Sequence, residues 1–208
     1  AALAVEAQSE LRPATIAIGQ GVADFVMNRR EFTERGVILG VNPRGIADRS
    51  VPVWQINDVD GKTICVLFGA ACHNTTLGSQ HFHISGDYAG YSQRYVEEKL
   101  PGLGGDANPY PRGEESIALR HGNALGEEVI RILNTKLTPV TGSLNTKLTN
   151  VELPLAELTD SQIEELLARG SWQRWVAEMA QEATNSGTPL PTTFSTPLAV
   201  WQFGDDLT

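Results

Sequence analysis

The residues best suited to chemistry are four histidines, a pair of adjacent arginines and a glycine-rich acidic loop. His73 follows an apolar run at 63–68 and sits among Ala70, Ala71, Cys72, Asn74, Thr75 and Thr76. A strand end opening into a polar loop suits a metal ligand or a catalytic base. It equally suits a hydrogen-bonded structural histidine, and one histidine makes no site. In His81-Phe82-His83 an extended backbone turns both imidazoles to one side. Two such ligands can grip zinc, which takes three or four; an exposed polar loop is the plainer reading. His121 falls inside a long helical pattern beside Arg120, where a surface position is expected.

Asn28-Arg29-Arg30-Glu31 offers guanidinium groups able to hold a carboxylate or an oxyanion, or else a solvated charged loop. In Gly104-Gly105-Asp106-Ala107-Asn108-Pro109 the glycines permit close backbone approach. Asp106 and Asn108 there either fold back onto backbone amides, as in an ordinary turn, or point into a cleft. The loop lacks the glycine spacing and the Lys-Ser/Thr of nucleotide-binding loops. Neither a Gly-x-Ser-x-Gly elbow nor a His-Glu-x-x-His helix occurs in the sequence, so those two hydrolase designs have no support.

The elements that must position these groups are legible in outline. Residues 1–11 read as a helix stopped by Pro13. A short strand at 15–18 is broken by Gly19-Gln20-Gly21. Residues 22–30 lead into a loop-rich stretch with Gly36, Gly40, Asn42-Pro43 and Gly45. Runs at 51–56 and 63–68 flank Asp60-Gly61 and form the strongest hairpin signal. Helices are expected at 88–99 and 114–133, the second from the spacing of Ile117, Ala118, Leu125, Val129 and Leu133. A strand follows at 144–155. Thr159 and Gln162 fit a capping box for a helix over 159–183, and a last strand covers 194–203. Trp172, Trp175 and Met179 share one face of that late helix, expected to pack into a core; a lipid-facing patch is the alternative. Interleaved strands and helices without repeats predict one α/β or α+β domain over 1–208. It would have a mixed central β-sheet flanked by helices and a peripheral helical segment near 159–183.

Composition narrows the function classes. Sixteen basic against 25 acidic residues give a net charge of −9, which argues against a nucleic-acid binder. No stretch of 18 apolar residues is present, so no transmembrane segment is expected. Residues 1–11 carry Glu6 and Glu10 and no basic leader, unlike a signal peptide. Cys65 and Cys72 lie on an extended stretch that separates them by roughly 23 Å, too far for a bridge, so buried free thiols are expected.

Several motifs fall in a telling order. They are Asn28-Arg29, Asp58-Val59-Asp60-Gly61, Ala71-Cys72-His73, Ser85-Gly86-Asp87-Tyr88-Ala89-Gly90-Tyr91 and Gly105-Asp106-Ala107-Asn108-Pro109. This succession resembles the N-terminal catalytic domain of the neutral/alkaline non-lysosomal ceramidases, and most of all their bacterial ceramidase-like branch. Residues 28–129 carry the resemblance best, and a looser likeness runs through 201–207.

The resemblance implies a zinc-dependent hydrolase that cleaves the amide bond of an N-acyl sphingolipid or related compound through a metal-activated water. It implies a single zinc ion as cofactor, with His73 as one ligand, Arg29 as a catalytic residue, and Asn28, Asp87, Asp106 and Asn108 as substrate-contacting or supporting residues. It further implies a lipid amide as partner, with contact to a membrane surface left open, and a secreted or periplasmic location. Three departures are visible. The family's His-Thr-His-Ser-Gly-Pro-like zinc segment does not occur, and its glutamate and tyrosine ligands are not among these residues, so the expectation is a chain carrying part of such a domain. The apolar strand that precedes the Gly-Asp loop is missing at the Gly102/Leu103 junction. Asn108 stands where ceramidases have a functional serine, which keeps a metal-dependent esterase open. A non-catalytic binding or structural module on the same scaffold is the other alternative.

Overall fold

The computed structural model describes residues 2–34, 36–99, 111, 113–168 and 174–204. The Gly102/Leu103 junction, Asp106, Asn108 and Trp172 lie outside the described residues. The chain forms two compact units, 1–141 and 142–208.

In the first unit, helix α1 (Ala2–Ser9) precedes strands β1 (Thr15–Val22), β2 (Asn28–Thr33), β3 (Gly36–Asn42), β4 (Ser50–Asn57) and β5 (Thr63–Phe68). Helices α2 (Asp87–Lys99) and α3 (Glu115–Leu133) and the short strand β6 (Thr138–Val140) complete it. Four strands make a sheet in the order β5-β4-β1-β6, and β2-β3 is a separate two-stranded ribbon. All described pairings are antiparallel. The combination of helices and strands is as expected, and the antiparallel ladders make the class α+β.

The β4–β5 hairpin forms where the Asp-Gly signal lies. Gly61 takes φ +81, and Asp58 Oδ1 accepts the amides of Asp60 and Lys62 at 3.0 and 2.8 Å. Alternation does the rest: Val51, Val53, Val66 and Phe68 point to one buried face, with Val53 opposite Phe68.

Two sequence expectations need correction here. Gly19 and Gly21 do not break β1, which runs through them and pairs with β4 along its full length. They face Val53 and Val51 on the buried side. A Cβ at Gly19 would stand 2.5 Å from Ile132 and 2.7 Å from Leu137, so the missing side chains let α3 lie close across the sheet. The stretch read as loop contains the β2–β3 hairpin, in which Gly36 supplies a turn at φ +100 and Val37-Ile38-Leu39 favours strand. Its ladder carries a bulge: Asn28 pairs with Asn42, but Arg30 pairs with Leu39. The surplus residue lies in β3, where the Glu31 carboxylate accepts the Val41 amide at 3.0 Å.

The core of this unit is a contact between α3, α2 and the buried sheet face. Leu125, Val129 and Ile132 of α3 meet Val51, Val53, Val66, Tyr88 and Val96 in one cluster. Burial of each large apolar side chain contributes about 1.5–3 kcal/mol. The α2–α3 approach is backbone-close at Gly122 and Gly126, one turn apart on α3. A Cβ on Gly122 would be 2.6 Å from the Tyr88 carbonyl oxygen and 2.8 Å from the Ser92 nitrogen. On Gly126 the nearest atoms it would meet belong to the Tyr95 side chain, at 2.6 Å. Glu128 ties α3 to the sheet edge. It accepts the Val22 amide at 2.9 Å and is held by Arg131 at 2.6 Å, an interaction that lowers its pKa below the ordinary value.

The second unit is built from β7 (Leu144–Pro154), α4 (Asp160–Ala168), α5 (Arg174–Ser186) and β8 (Thr193–Phe203). β7 and β8 pair over all eleven residues. The capping box forms: Gln162 Oε1 accepts the Thr159 amide at 2.9 Å, and Thr159 Oγ1 accepts the Gln162 amide at 3.3 Å. The single helix expected over 159–183 is instead two helices packed on each other. Gly170 and Ser171, poor helix formers, stand between them in the sequence. The expected core stripe is also corrected, since Trp175 and Met179 are exposed while α5 buries Ala177 and Ala180.

Gly122→Ala should cost about 1–3 kcal/mol net of the helix propensity gained, because the obstructing atoms are the Tyr88 and Ser92 backbones and the Tyr91 Cβ, which moves only with its backbone. Gly126→Ala, which meets a side chain able to move, should cost less. Urea unfolding would read both as midpoint shifts at constant slope; an unshifted Gly122→Ala midpoint would refute the close-approach account. Glu128 has a depressed folded pKa, so its contribution is present above the ordinary carboxylate pKa and fades as pH falls through the folded value. Glu128→Gln should therefore be less stable than the parent at pH 6, with the gap shrinking toward pH 3. A gap that is constant with pH would exclude an ionic role.

Candidate functional site

The loop after β5 carries His73 away from the sheet. The Gly69 amide donates to the Pro52 carbonyl at 3.2 Å, Cys72 N to Ala70 O at 2.9 Å, and Thr75 N to His73 O at 2.8 Å. These bonds give the loop a wound backbone and leave the His73 side chain exposed. Farther along, Asp87 fastens the loop to the start of α2. Its Oδ2 accepts the Leu77 amide at 2.8 Å and its Oδ1 the Tyr88 amide at 2.6 Å. Asp87 is buried at φ +52, a conformation an aspartate tolerates when its side chain is bonded locally.

On the other side, the segment from Phe25 to Arg30 enters the β2–β3 ribbon. Asn28 braces it: its amide nitrogen donates to the Ile46 carbonyl at 2.7 Å, and its Oδ1 accepts the Arg30 amide at 2.8 Å. Arg49 Nε adds a bond to the Val26 carbonyl at 3.2 Å.

Between these two segments lies a cleft of about 320 Å³, with Asn28, Arg29, Arg30, Ile46, Asp48 and His73 on its walls. The structure thus brings Asn28, Arg29 and His73 together. Arg29 and His73 are exposed, while the Asn28 amide is engaged with the scaffold. Asp48, which sequence reasoning missed, accepts both the amide and the hydroxyl of Ser50, at 2.9 and 2.7 Å; the hydroxyl bond chiefly holds its pKa below the ordinary value. Its signal was Asp48-x-Ser50, a local turn pattern with no mark of a site.

Asp87 lines a different cavity, of about 520 Å³, together with His81, His83, Tyr91, Arg94 and Glu115. The His81 and His83 rings share it, with centroids 5.6 Å apart. The Tyr91 hydroxyl donates to Glu115 at 2.5 Å, which raises the tyrosine pKa. In the second unit, a cavity of about 480 Å³ is lined chiefly by apolar residues, among them Leu155, Leu158, Val176, Met179 and Leu190. Asp106 and Asn108 lie outside the described residues.

His121 is not at the surface, contrary to the sequence expectation. It is 5% exposed, its ring lies 4.8 Å from that of Phe25, and its Nε2 donates to the Pro111 carbonyl at 2.8 Å. Burial lowers its pKa, and the Pro111 bond only partly opposes this, which favours the uncharged ring. The signal was available: Ala118, His121, Leu125, Val129 and Ile132 form one helical stripe. Neither cysteine is in a disulfide among the described residues; Cys72 is buried and Cys65 half-buried, and burial pushes the Cys65 thiol up.

Chemically, the cleft offers a cation, an imidazole and a carboxylate around a polar space. That suits an anionic or carbonyl-bearing ligand. The described residues do not by themselves fit a zinc centre. His73, Asp48 and the buried Cys72 all border the cleft, but among the described residues no three histidine, cysteine or acidic side chains converge to hold a metal, and zinc takes at least three donors from protein. Among the described residues no helix is long and apolar enough to cross a membrane.

Neither a family model nor a curated protein matches the sequence. Among solved structures, the chain is similar to a neutral ceramidase from Pseudomonas aeruginosa, with a TM-score of 0.57 at 15% identity over 97% of this chain and 40% of that one. It is also similar to a ceramidase complexed with C2, with a TM-score of 0.60 at 16% identity over 96% of this chain and 42% of that one. The chain therefore spans about 40% of the length of these neighbours, and at such identity what it shares with them is the fold.

Proposed function

We propose that the cleft between the His73 loop and the Arg29 segment belongs to an amide hydrolase of the ceramidase-like kind, acting on an N-acyl sphingolipid or a related lipid amide. The observation that carries this reading is the convergence of Arg29 and His73, distant in sequence, on one cleft in a fold like that of the ceramidases. In this reading Arg29 stabilises the negative charge that develops on the carbonyl oxygen as the amide is attacked. Asn28 holds Arg29 in place through the Ile46 and Arg30 backbones. A zinc ion bound here would take His73 as one donor and would need at least two more protein donors beyond those the described residues bring together. Such an ion supplies a water of lowered pKa. A secreted or periplasmic location goes with this reading. The incomplete donor set favours one alternative, a non-catalytic module that binds a carboxylate or lipid headgroup on the same scaffold.

The test is elemental analysis of the protein at its natural length beside His73→Ala and Arg29→Ala. The expected result is about one zinc per chain, lost in His73→Ala and kept in Arg29→Ala. Arg29→Ala should lower turnover of an N-acyl sphingoid substrate by about 10²–10³-fold. Absence of stoichiometric zinc in the parent would overturn the hydrolase reading and leave the binding module. Turnover of esters in preference to amides would reassign the bond cleaved.

A further inference from the structure

Tyr88 is the largest fully buried side chain of the described residues, at 1% exposure. A buried tyrosine hydroxyl requires a partner, and here it donates to the Cys72 carbonyl at 3.0 Å. That carbonyl belongs to the peptide unit joining Cys72 to His73. On its other side the Tyr88 ring meets the Phe25 ring, with centroids 5.2 Å apart and planes tilted by 58°. Phe25 is the buried residue from which the chain runs through Val26 and Met27 to Asn28 and Arg29. One side chain therefore touches both segments that wall the cleft, and it does so from behind, where no ligand reaches.

Tyr88 is itself fixed from three directions. Its amide donates to Asp87 at 2.6 Å, its carbonyl lies against Gly122 of α3, and its neighbour Phe25 is backed by the His121 ring at 4.8 Å. Each of these restraints is a hydrogen bond or a close-packed contact that does not yield cheaply. We infer that Tyr88 is a positioning residue that sets the separation and orientation of His73 relative to Arg29, through its hydroxyl on the Cys72 carbonyl and its ring on Phe25.

Only the catalytic readout of this inference rests on the function proposed above; its geometric readout does not. Cys72-His73 is the only Cys-His pair in the sequence. Labelling cysteine carbonyl carbon with ¹³C and histidine nitrogen with ¹⁵N in the full chain therefore gives a single carbonyl–amide NMR cross-peak. The variants are Tyr88→Phe, which keeps the ring, Phe25→Leu, which keeps the hydroxyl, and Tyr91→Phe on the same helix as a control. Positioning predicts that the cross-peak and the His73 imidazole resonance of the folded protein move in both Tyr88→Phe and Phe25→Leu and stay put in Tyr91→Phe. A merely structural role would lower the melting temperature but leave both resonances of the folded population unmoved, and that result overturns the inference. Should Tyr88→Phe fail to fold, Phe25→Leu decides alone. Where the parent turns over an N-acyl sphingoid substrate, Tyr88→Phe should lower kcat at least about tenfold with KM changed less than twofold. A parent without turnover counts against the proposed function, while the NMR result still stands or falls by itself.

Discussion

The first unit depends on how closely α3 can approach what lies on either side of it. A helix normally keeps its neighbours at a distance set by side chains, 8–10 Å between axes. Here Gly122 and Gly126 remove that spacer toward α2, and Gly19 and Gly21 remove it toward β1. The result is a tight three-layer stack of α2, α3 and sheet, with Leu125, Val129 and Ile132 filling the remaining space. Because Gly122 lies against the Tyr88 backbone, α2 has little freedom to slide along α3. The start of α2 is also where the His73 loop is fastened, so the placement of the loop follows from the packing of the helices.

A second theme is the use made of negative charge. With 25 acidic residues against 16 basic ones, the chain carries an excess that would repel itself if all of it stood free. Several carboxylates instead act as acceptors for backbone amides. Asp58 closes the β4–β5 turn, Glu31 caps the bulge in β3, Asp87 joins the His73 loop to α2, and Glu128 joins α3 to Val22. Bonds to an ionised acceptor are stronger than those between neutral groups. The acids are thus the fasteners of irregular backbone in this unit, while Arg29 is left facing the cleft.

How much of this was legible in the sequence depends on how local the cause is. The β4–β5 hairpin, α2, α3 and the Thr159 capping box are decided by neighbours within a few residues, and they form as expected. The β2–β3 ribbon was hidden because its glycines, asparagine and proline read as loop, whereas their effect in place is a turn and a bulge. Gly19 and Gly21 looked like breakers because nothing local reveals that a helix will lie over them. His121, beside Arg120, reads as a surface residue, although the apolar stripe of its own helix places it inside. The late segment reads as one helix because the pattern on each side of Gly170 has the same period, whereas it forms α4 and α5. Of the candidate site, local pattern supplied single residues only. That Arg29 and His73 line one cleft is a tertiary fact, which in the sequence has only the resemblance of motif order to the ceramidases behind it.

The bulge in β3 has a meaning for how such a cleft changes over generations. A ladder with one surplus residue is one deletion away from regular pairing, and in a strand such a deletion sends every side chain beyond it to the opposite face. The ribbon that presents Arg29 is therefore tuned by chain length as well as by residue identity. Loss of a single codon near Gly40 would exchange the two faces of the Val37-Ile38-Leu39 stretch, which pairs with Arg30, Glu31 and Phe32. Diversification of the ligand could then proceed by small insertions and deletions in the ribbon, on a scaffold whose glycine contacts hold still.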